Sequence, residues 1–200
     1  MDSSQDGAQS GTMALNRTAI ADAANGQLNK GAVTPGIAPY AEEICALLND
    51  ALATEWVCVL RYRRHYFTAR GIASEAVAGE FLTHANEELG HADRLSARIV
   101  QLGGAPELDP DTLSGRSHAD YDQSAGLKAM IKANLVAERI AVEVYRQMVT
   151  VIGDKDPTTV QLLRDILAQE ESHAEELSDW LDDGGVMSVA DHLREVREDY

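Results

Sequence analysis

One short motif, Glu-x-x-His, occurs twice in the chain: in residues 87–94, which read EELGHADR, and in residues 170–173, which read EESH. Residues three apart on an α-helix lie on the same face, so the glutamate and the histidine of each motif can reach one metal ion. Both stretches lie inside longer segments whose apolar residues recur at helical spacing. The motifs therefore predict two helices that each present a carboxylate and an imidazole to a shared interior.

The spacing of two further glutamates places four carboxylates at one depth. Glu55 lies 33 residues before Glu88, and Glu138 lies 32 residues before Glu170. The middle of each interval falls on a predicted turn, and residues equidistant from the turn of an antiparallel helical hairpin lie at the same height. Each half of the chain thus repeats one pattern, a lone glutamate followed by a Glu-x-x-His motif. We expect a pseudo-twofold site of four carboxylates and two imidazoles.

Apolar periodicity and helix-breaking residues outline the helices around these motifs. A polar connection over residues 104–122 separates two helical hairpins. The short turn inside each hairpin makes its two helices antiparallel neighbours, whereas the long connection lets the second hairpin run the other way. This pattern indicates an all-α four-helix bundle with one long crossover. We predict helices over residues 40–69, 74–102, 124–152 and 157–184, followed by a short C-terminal fifth helix that begins near Ser188.

Composition and charge limit the class of protein. Residues 1–36 are rich in small and polar residues, so we expect a flexible N-terminal extension before a bundle domain over residues 37–200. A formal charge of −16 argues against a nucleic-acid partner, since phosphate binding depends on Lys and Arg. No apolar run predicts a membrane helix, and the polar start does not resemble a secretory signal. Cys45 and Cys58 are too far apart on one predicted helix to form a disulfide, which favours the reducing cytoplasm.

Buried carboxylates in such number require cations. Four carboxylates without counter-ions would repel one another and lose hydration, at a cost of several kcal/mol per ion. Glu55 lies among Leu52, Val59 and Tyr62 on the face that must form the core. Two divalent ions would neutralise the cluster, and a donor set of carboxylate oxygens with one imidazole per ion suits iron or manganese.

The stretch in residues 87–94, with its repeat in residues 170–173, resembles the ferritin-like di-iron superfamily and most closely the bacterioferritins. The resemblance covers residues 40–184. It implies two iron ions per subunit, oxidation of Fe²⁺ by O₂ or H₂O₂, and storage of the ferric mineral in a homo-oligomeric cage of 24 subunits. The metal ligands that it implies are one bridging pair and two terminal pairs: Glu88 with Glu170, Glu55 with His91, and Glu138 with His173.

Tyrosines and a histidine near these ligands are further candidates. Tyr62, two turns after Glu55, matches the tyrosine beside the family's di-iron centre, which makes it the candidate catalytic residue and an extra electron donor. Tyr145 lies seven residues after Glu138, where it either packs in the core or donates electrons. His84 either passes iron inward or is a partly buried structural histidine.

The sequence also departs from the family's pattern. Leu89 stands where haem-binding bacterioferritins have the methionine that ligates haem, so we expect no haem of that kind. Glu87 adjoins a ligand but points about 100° away from it, which favours a solvated or interface charge. We interpret the basic cluster in residues 61–64 in the same way, as a solvated face or a salt-bridge partner.

Three functions remain open on these residues. The first is ferroxidase activity with iron storage or detoxification in an oligomer. The second is another enzyme on the same bundle, either a manganese catalase or a di-iron enzyme that oxidises an organic substrate. The third is a non-storage role, as a small oligomer, a metal-bound scaffold or the cargo of another shell. None of the three involves a membrane.

Overall fold

The computed structural model describes residues 14–71 and 74–182, and in these ranges it contains helices and no β-strand. The all-α bundle predicted from the sequence is confirmed. The predicted C-terminal helix near Ser188 lies outside the described residues. The described residues form six α-helices, which are α1 (Arg17–Asn25), α2 (Ala41–Thr68), α3 (Ser74–Gln101), α4 (Pro110–Arg116), α5 (Leu127–Ile152) and α6 (Pro157–Asp182).

Four long helices form the bundle. Helices α2 and α3 have 28 residues each and α5 and α6 have 26, so each is about 40 Å long at 1.5 Å per residue. Helix α2 packs along α3, and α5 packs along α6. Contacts of α2 with α5 and of α3 with α6 join the two hairpins. This arrangement brings the centres of all four helices to one interior.

The helix ends follow local signals in the sequence. Gly153 ends α5 with a φ of +49°, a conformation that favours glycine. Asp156 precedes Pro157 at the start of α6, where its Oδ1 accepts the backbone N–H of Thr159 at 3.1 Å. Arg98, near the end of α3, donates to both carboxylate oxygens of Asp156 at 2.8 Å. The start of α6 is therefore fixed to the end of α3.

The crossover contains a helix that the sequence did not predict. Helix α4 begins at Pro110, and Asp109 accepts the backbone N–H of Asp111 at 3.0 Å as its N-cap. Leu113 is buried against the bundle, and Arg116 donates to the backbone oxygen of Asn49 at 2.8 Å. The segment was predicted as a loop because seven residues with one buried apolar side chain give no helical periodicity.

Two apolar clusters lie on either side of a polar middle layer. One cluster includes Leu52, Leu95 and Ile166, and the other includes Phe81 and Leu177. Burial of each such side chain contributes roughly 1.5–3 kcal/mol. The long helices are therefore held together above and below the level at which the Glu-x-x-His motifs lie.

The N-terminal extension contains an unpredicted helix. Helix α1 has no buried residue, and Asn16 caps it by accepting the backbone N–H of Ala19 at 3.0 Å. This helix is thus stabilised by its N-cap and by local helix propensity, and not by burial in the core. Among the described residues, no helix is both long and apolar enough to cross a membrane.

Candidate metal centre

The six predicted ligand residues come together in the polar middle layer. Every one of them is at least 95% buried, and the four glutamates are at most 1% exposed. Their donor atoms form two overlapping groups, in each of which all atoms lie within 4.8 Å of one another. The His91 position consists of Glu55, Glu88, His91 and Glu170, and the His173 position consists of Glu88, Glu138, Glu170 and His173. Glu88 and Glu170 belong to both, as the resemblance implied for bridging ligands.

The Nδ1 atom of each histidine points into the carboxylate cluster. His91 Nδ1 lies 2.9 Å from Glu170 Oε1, 3.3 Å from Glu88 Oε2 and 3.5 Å from Glu55 Oε2. An imidazole nitrogen surrounded by carboxylate oxygens at these distances is where a metal ion would be held.

The second histidine repeats this geometry on the other side. His173 Nδ1 lies 3.5 Å from Glu88 Oε1, 3.7 Å from Glu138 Oε2 and 3.8 Å from Glu170 Oε2. The pseudo-twofold symmetry predicted from the sequence spacing is thus present in the geometry.

The outer nitrogen of each histidine is held by a side chain from the opposite hairpin. His91 Nε2 donates to Gln169 Oε1 at 3.0 Å, and His173 Nε2 donates to Glu87 Oε2 at 2.8 Å. In a neutral imidazole, the proton on Nε2 leaves Nδ1 with a free lone pair. These contacts therefore select the tautomer whose Nδ1 can bind a metal ion.

Two buried tyrosines cross the interior in opposite directions. Tyr62 in α2 donates to Glu138 Oε1 in α5, and Tyr145 in α5 donates to Glu55 Oε1 in α2. Burial, and then the negative charge of the neighbouring glutamates, raises the pKa of both tyrosines well above the usual value, so both hydroxyls keep their protons and can donate. Each terminal carboxylate consequently has one oxygen occupied by a tyrosine and one that points to the centre.

Several centre-facing atoms have no hydrogen-bond partner. They include Glu55 Oε2, Glu138 Oε2, Glu170 Oε2 and His173 Nδ1. Buried polar atoms without partners are costly, and they are rare in proteins. A pair of divalent ions would satisfy these atoms, so the residues present fit a two-metal centre.

Electrostatics in the cluster favour protons where metal ions are absent. Burial, followed by the charge of Glu88, raises the pKa of Glu55 to about 8. Burial and the charge of Glu88 also raise the pKa of Glu170 well above its usual value. Burial opposes the charged form of His173, but the close carboxylates of Glu138 and Glu88 outweigh it and raise the pKa of His173 to about 12. Metal ions must therefore displace protons from this cluster when they bind.

One glutamate behaves differently from the others. Burial by itself would raise the pKa of Glu88, but the imidazoles of His173 and His91 beside its carboxylate outweigh it and hold the pKa well below the usual value. Glu88 is thus the carboxylate that keeps its charge, whereas the raised pKa values of Glu55 and Glu170 favour their protonated forms. Glu88 lies between the two histidines, as a bridging ligand must.

His84 connects the centre to the surface. Its Nδ1 lies 3.0 Å from the Tyr62 hydroxyl, and its Nε2 lies 3.1 Å from Glu176 Oε2. Its ring stacks on that of His173, with centroids 4.2 Å apart and an interplanar angle of 19°. Donor atoms of His84, Glu138 and His173 also lie within 4.8 Å of one another, but both ring nitrogens of His84 already contact Tyr62 and Glu176.

Two predictions about charged neighbours hold only in part, because Glu87 is 39% exposed and Arg63 and Arg64 are not buried. Glu87 is not merely a solvated charge, because its long side chain reaches from α3 to His173 in α6. Arg61 is fully buried, and its guanidinium donates to Asn134 Oδ1 at 2.8 Å and lies 5.6 Å from the centre of the Tyr62 ring. It places a positive charge next to the acidic interior. Glu87 and Arg61 are each next to a residue that lines the interior of the bundle. Helical periodicity in the sequence does not show which of their long side chains reaches a neighbouring helix.

A family model of the ferritin-like domain matches residues 45–185. The chain belongs to the ferritin-like family. The bacterioferritin of Brucella melitensis biotype 1 is 31% identical to it over 137 residues, which cover 68% of this chain and 80% of that protein. A DNA protection during starvation protein of Pyrococcus furiosus is 32% identical over 138 residues, which cover 66% of this chain and 73% of that relative. The resemblance to the ferritin-like superfamily and its bacterioferritins is thereby confirmed.

Solved structures of this ferritin-like family share the fold. The bacterioferritin-related protein from Bacteroides fragilis, described as a dodecameric thioferritin, superimposes with a TM-score of 0.69 at 30% identity, covering 80% of this chain and 91% of its own. A Dps protein from Vibrio cholerae O1 also has a TM-score of 0.69, at 18% identity, and covers 72% of this chain. The bundle is thus an established ferritin-like fold.

Glu87 and Gln169 are residues of the centre that the sequence pattern did not assign to it, whereas Tyr145 was a candidate with two open roles. A signal for Glu87 and Gln169 exists in the sequence. The residue directly before each Glu-x-x-His motif is Glu or Gln, namely Glu87 and Gln169, and both side chains are long enough to reach a neighbouring helix. Each of these two side chains accepts a hydrogen bond from the histidine of the other helix, which only the structure shows.

Proposed function

We propose that this ferritin-like protein is a ferroxidase, which oxidises Fe²⁺ with O₂ or H₂O₂ at the two-metal centre and serves in iron storage and detoxification. One observation carries the proposal: two overlapping groups of buried carboxylate and imidazole donors share Glu88 and Glu170. A shared pair of ligands is suited to hold two Fe²⁺ ions close enough to act on one oxidant.

The donor chemistry supports iron as the substrate. Carboxylate oxygens with one imidazole per ion suit iron or manganese, and two divalent ions cancel the charge of four carboxylates. Two Fe²⁺ ions give one electron each to one H₂O₂, which takes up two protons and leaves as two waters.

We assign the tyrosines a positioning role and Tyr62 an additional catalytic one. Tyr62 and Tyr145 each hold one oxygen of a terminal glutamate, which aims the other oxygen at the centre. Tyr62 also lies 3.0 Å from His84, which contacts the partly exposed Glu176. A tyrosine with a carboxylate and an imidazole beside its hydroxyl can release its proton as it gives up an electron, so Tyr62 is the candidate extra donor.

Storage of a ferric mineral requires an oligomeric shell, and the descriptions of relatives support such an assembly. The Bacteroides fragilis structure is described as dodecameric, and other relatives are named bacterioferritins. We propose a cytoplasmic homo-oligomeric shell for this chain, with a 24-subunit cage as the form that the bacterioferritin resemblance implies.

Relatives named for DNA protection and DNA binding suggest a second function. The formal charge of −16 opposes direct contact with DNA, because two like-charged polymers repel. Protection through removal of Fe²⁺ and peroxide needs no such contact. We therefore expect no shift of duplex DNA by the assembled protein in a gel at physiological salt, while DNA damage by Fe²⁺ with H₂O₂ decreases.

Aerobic Fe²⁺ oxidation, followed by size exclusion with iron analysis, tests the proposal. The wild-type chain should oxidise Fe²⁺ rapidly and elute as a large assembly with hundreds of iron ions per particle. Glu88→Ala should abolish rapid oxidation, because it removes a ligand shared by both positions. The matched control is Glu171→Ala. Glu171 lies beside the ligand Glu170, but its side chain is 52% exposed and paired with Arg146.

The other functions give different outcomes. A small particle with about two iron ions per chain would contradict storage, and disproportionation of H₂O₂ by the manganese-loaded chain would favour a catalase. Oxidation that is equally fast in Glu88→Ala would contradict the ferroxidase proposal itself.

A further inference from the structure

The two halves of the centre obey a strict internal repeat in their ligands. A shift of 83 residues takes α2 onto α5, and a shift of 82 residues takes α3 onto α6. Every ligand and both tyrosines coincide under this shift with a residue of the same type. The equivalent pairs are Glu55 with Glu138, Tyr62 with Tyr145, Glu88 with Glu170, and His91 with His173.

The side chains behind the histidines do not obey the repeat. His173 Nε2 meets a carboxylate, Glu87 Oε2, at 2.8 Å, whereas His91 Nε2 meets a neutral amide, Gln169 Oε1, at 3.0 Å. Glu87 and Gln169 occupy equivalent positions under the shift. The hydrogen-bond geometry is thus conserved between the halves while the charge behind the histidine is not.

At two further pairs of equivalent positions, the residue near His173 is again the more polar or the more negatively charged one. His84, which stacks on His173 and contacts Glu176, is equivalent to Ile166, a fully buried member of an apolar cluster. Glu176, three residues after His173, is equivalent to Arg94, three residues after His91. Arg94 is paired with Asp165 at 3.5 Å, so its charge is partly offset.

These differences make the surroundings of the two positions electrostatically unequal. The His173 position has two additional carboxylates, Glu87 and Glu176, each 39% exposed, that connect it to solvent. The His91 position has an amide, an apolar side chain and a paired cation. A carboxylate that accepts the outer N–H of a ligand histidine raises the basicity of that ligand, and loss of such a partner typically weakens metal affinity 10–100-fold.

We infer that the two metal positions are inequivalent: the His173 position binds a divalent metal ion more tightly and fills first, and Glu87 is the positioning residue that makes it so. This inference rests on the proposed function, in that both positions are taken to hold metal. Glu88 and Glu170 belong to both positions, so we attribute the difference to Glu87 and to the pair of His84 and Glu176. The buried Arg61, whose equivalent is Val144, acts in the opposite sense, because its positive charge lies near Tyr62 and Glu138.

Anaerobic titration of the full chain with Co²⁺ tests the inference without any turnover. Calorimetry of the wild type should show two binding steps whose affinities differ by about tenfold or more. Crystals given one equivalent of Co²⁺ per chain should show an anomalous peak beside Glu138 and His173, with little density beside Glu55 and His91. Equal occupancy, or a peak beside His91 alone, would overturn the inference.

Two reciprocal variants assign the cause. Glu87→Gln makes the His173 position resemble the His91 position, so the first step should weaken about tenfold and the two steps should merge. Gln169→Glu makes the opposite change and should tighten the second step. The control Glu171→Gln alters an exposed carboxylate that contacts Arg146 and neither histidine. Equal effects of Glu87→Gln and Glu171→Gln would show that bulk charge, and not the contact with His173, sets the affinity.

The outcomes separate this inference from the proposed function. If the wild type binds no Co²⁺ in the centre, both fail. If it binds two ions per chain with equal affinity and Glu87→Gln changes neither step, the two-metal centre stands and the inequivalence is wrong.

Discussion

Two buried layers of opposite character lie next to each other along the same four helices. In the apolar layer, Leu52, Leu163 and Ile166 are fully buried among other apolar side chains. In the acidic layer, one helical turn away, Glu55 and Glu170 are equally buried but have oxygens without partners. Burial of the apolar layer stabilises the fold, whereas burial of the acidic layer destabilises it until cations neutralise the carboxylates. The difference indicates that stability and metal binding are located in separate layers of one bundle.

Truncation in the apolar layer should have the largest effect on stability. Leu163→Ala removes a fully buried side chain and should lower the free energy of unfolding by about 2–5 kcal/mol. The number of Fe²⁺ ions bound anaerobically per chain should not change, because no ligand is touched. Urea unfolding of the metal-free protein and iron analysis measure the two quantities. The exposed control, Val151→Ala, should change stability by less than about 0.5 kcal/mol. Loss of iron binding in Leu163→Ala at a temperature where it is folded would contradict the separation of layers.

Neutralisation in the acidic layer should have the opposite sign. Glu55→Gln keeps an acceptor for Tyr145 but removes a carboxylate whose charge is disfavoured by burial. The metal-free protein should become more stable by about 1–3 kcal/mol at neutral pH, while metal binding at the His91 position is lost. Thermal unfolding with and without Mn²⁺ measures both. A Glu55→Gln protein that is less stable than wild type without metal would show that the acidic layer contributes to stability after all.

The pH dependence of stability should differ between metal-free and metal-loaded protein. The pKa of Glu55 rises to about 8 in the folded chain from an ordinary value of 4.5, so the folded state binds more protons than the unfolded state between these values. Metal-free stability should therefore fall as pH rises through this range, by up to about 1.4 kcal/mol per pH unit from this group. The raised pKa of His173 acts in the same direction. Bound metal displaces these protons and should remove or reverse the slope.

Urea unfolding at several pH values between 5 and 8, with a chelator or with saturating Mn²⁺, measures these slopes. Metal-free stability that rises with pH across this range would contradict the account of the acidic layer. Glu55→Gln serves as the control, because its metal-free slope should be smaller than that of the wild type.

A smaller effect is expected outside both layers, where α6 begins. Burial opposes the charge of Asp156, but hydrogen bonds from Thr159 and Arg98 outweigh it and lower the pKa of Asp156. The charged form therefore stabilises the fold above the ordinary value of 3.8, and this contribution is lost as pH falls through the lowered pKa. Asp156→Asn keeps the cap but weakens the charge-assisted hydrogen bonds from Arg98, so it should cost about 1 kcal/mol at pH 7 and progressively less towards pH 2. A cost that is constant over this range would show that the charge is unimportant.

The sequence was sufficient to predict the acidic layer, because helix geometry converts spacing directly into depth. The intervals from Glu55 to Glu88 and from Glu138 to Glu170 place four carboxylates at one level in any antiparallel bundle. The apolar periodicity likewise predicted the four long helices to within a few residues. Both predictions depend only on the regular rise of the α-helix, which holds irrespective of the neighbours.

Other features could not be predicted because they depend on neighbours. Glu87 does point away from its own ligand face, but α6 packs where its carboxylate can reach His173. Arg61 is buried because Asn134 accepts its N–H inside the bundle. Helix α4 is stabilised by the burial of Leu113 and by its cap at Asp109. In each case, a contact between distant segments decides the role of a residue whose local pattern indicates solvent or loop.

Six buried side chains are proposed to form one centre for two iron ions. The most direct test is a crystal structure of the full chain loaded anaerobically with excess Fe²⁺, with iron located by anomalous scattering at the iron edge. Two peaks are expected in the acidic layer, both of them contacting Glu88 and Glu170, one next to His91 and the other next to His173. A single peak, or iron bound only at surface carboxylates, would contradict this proposal.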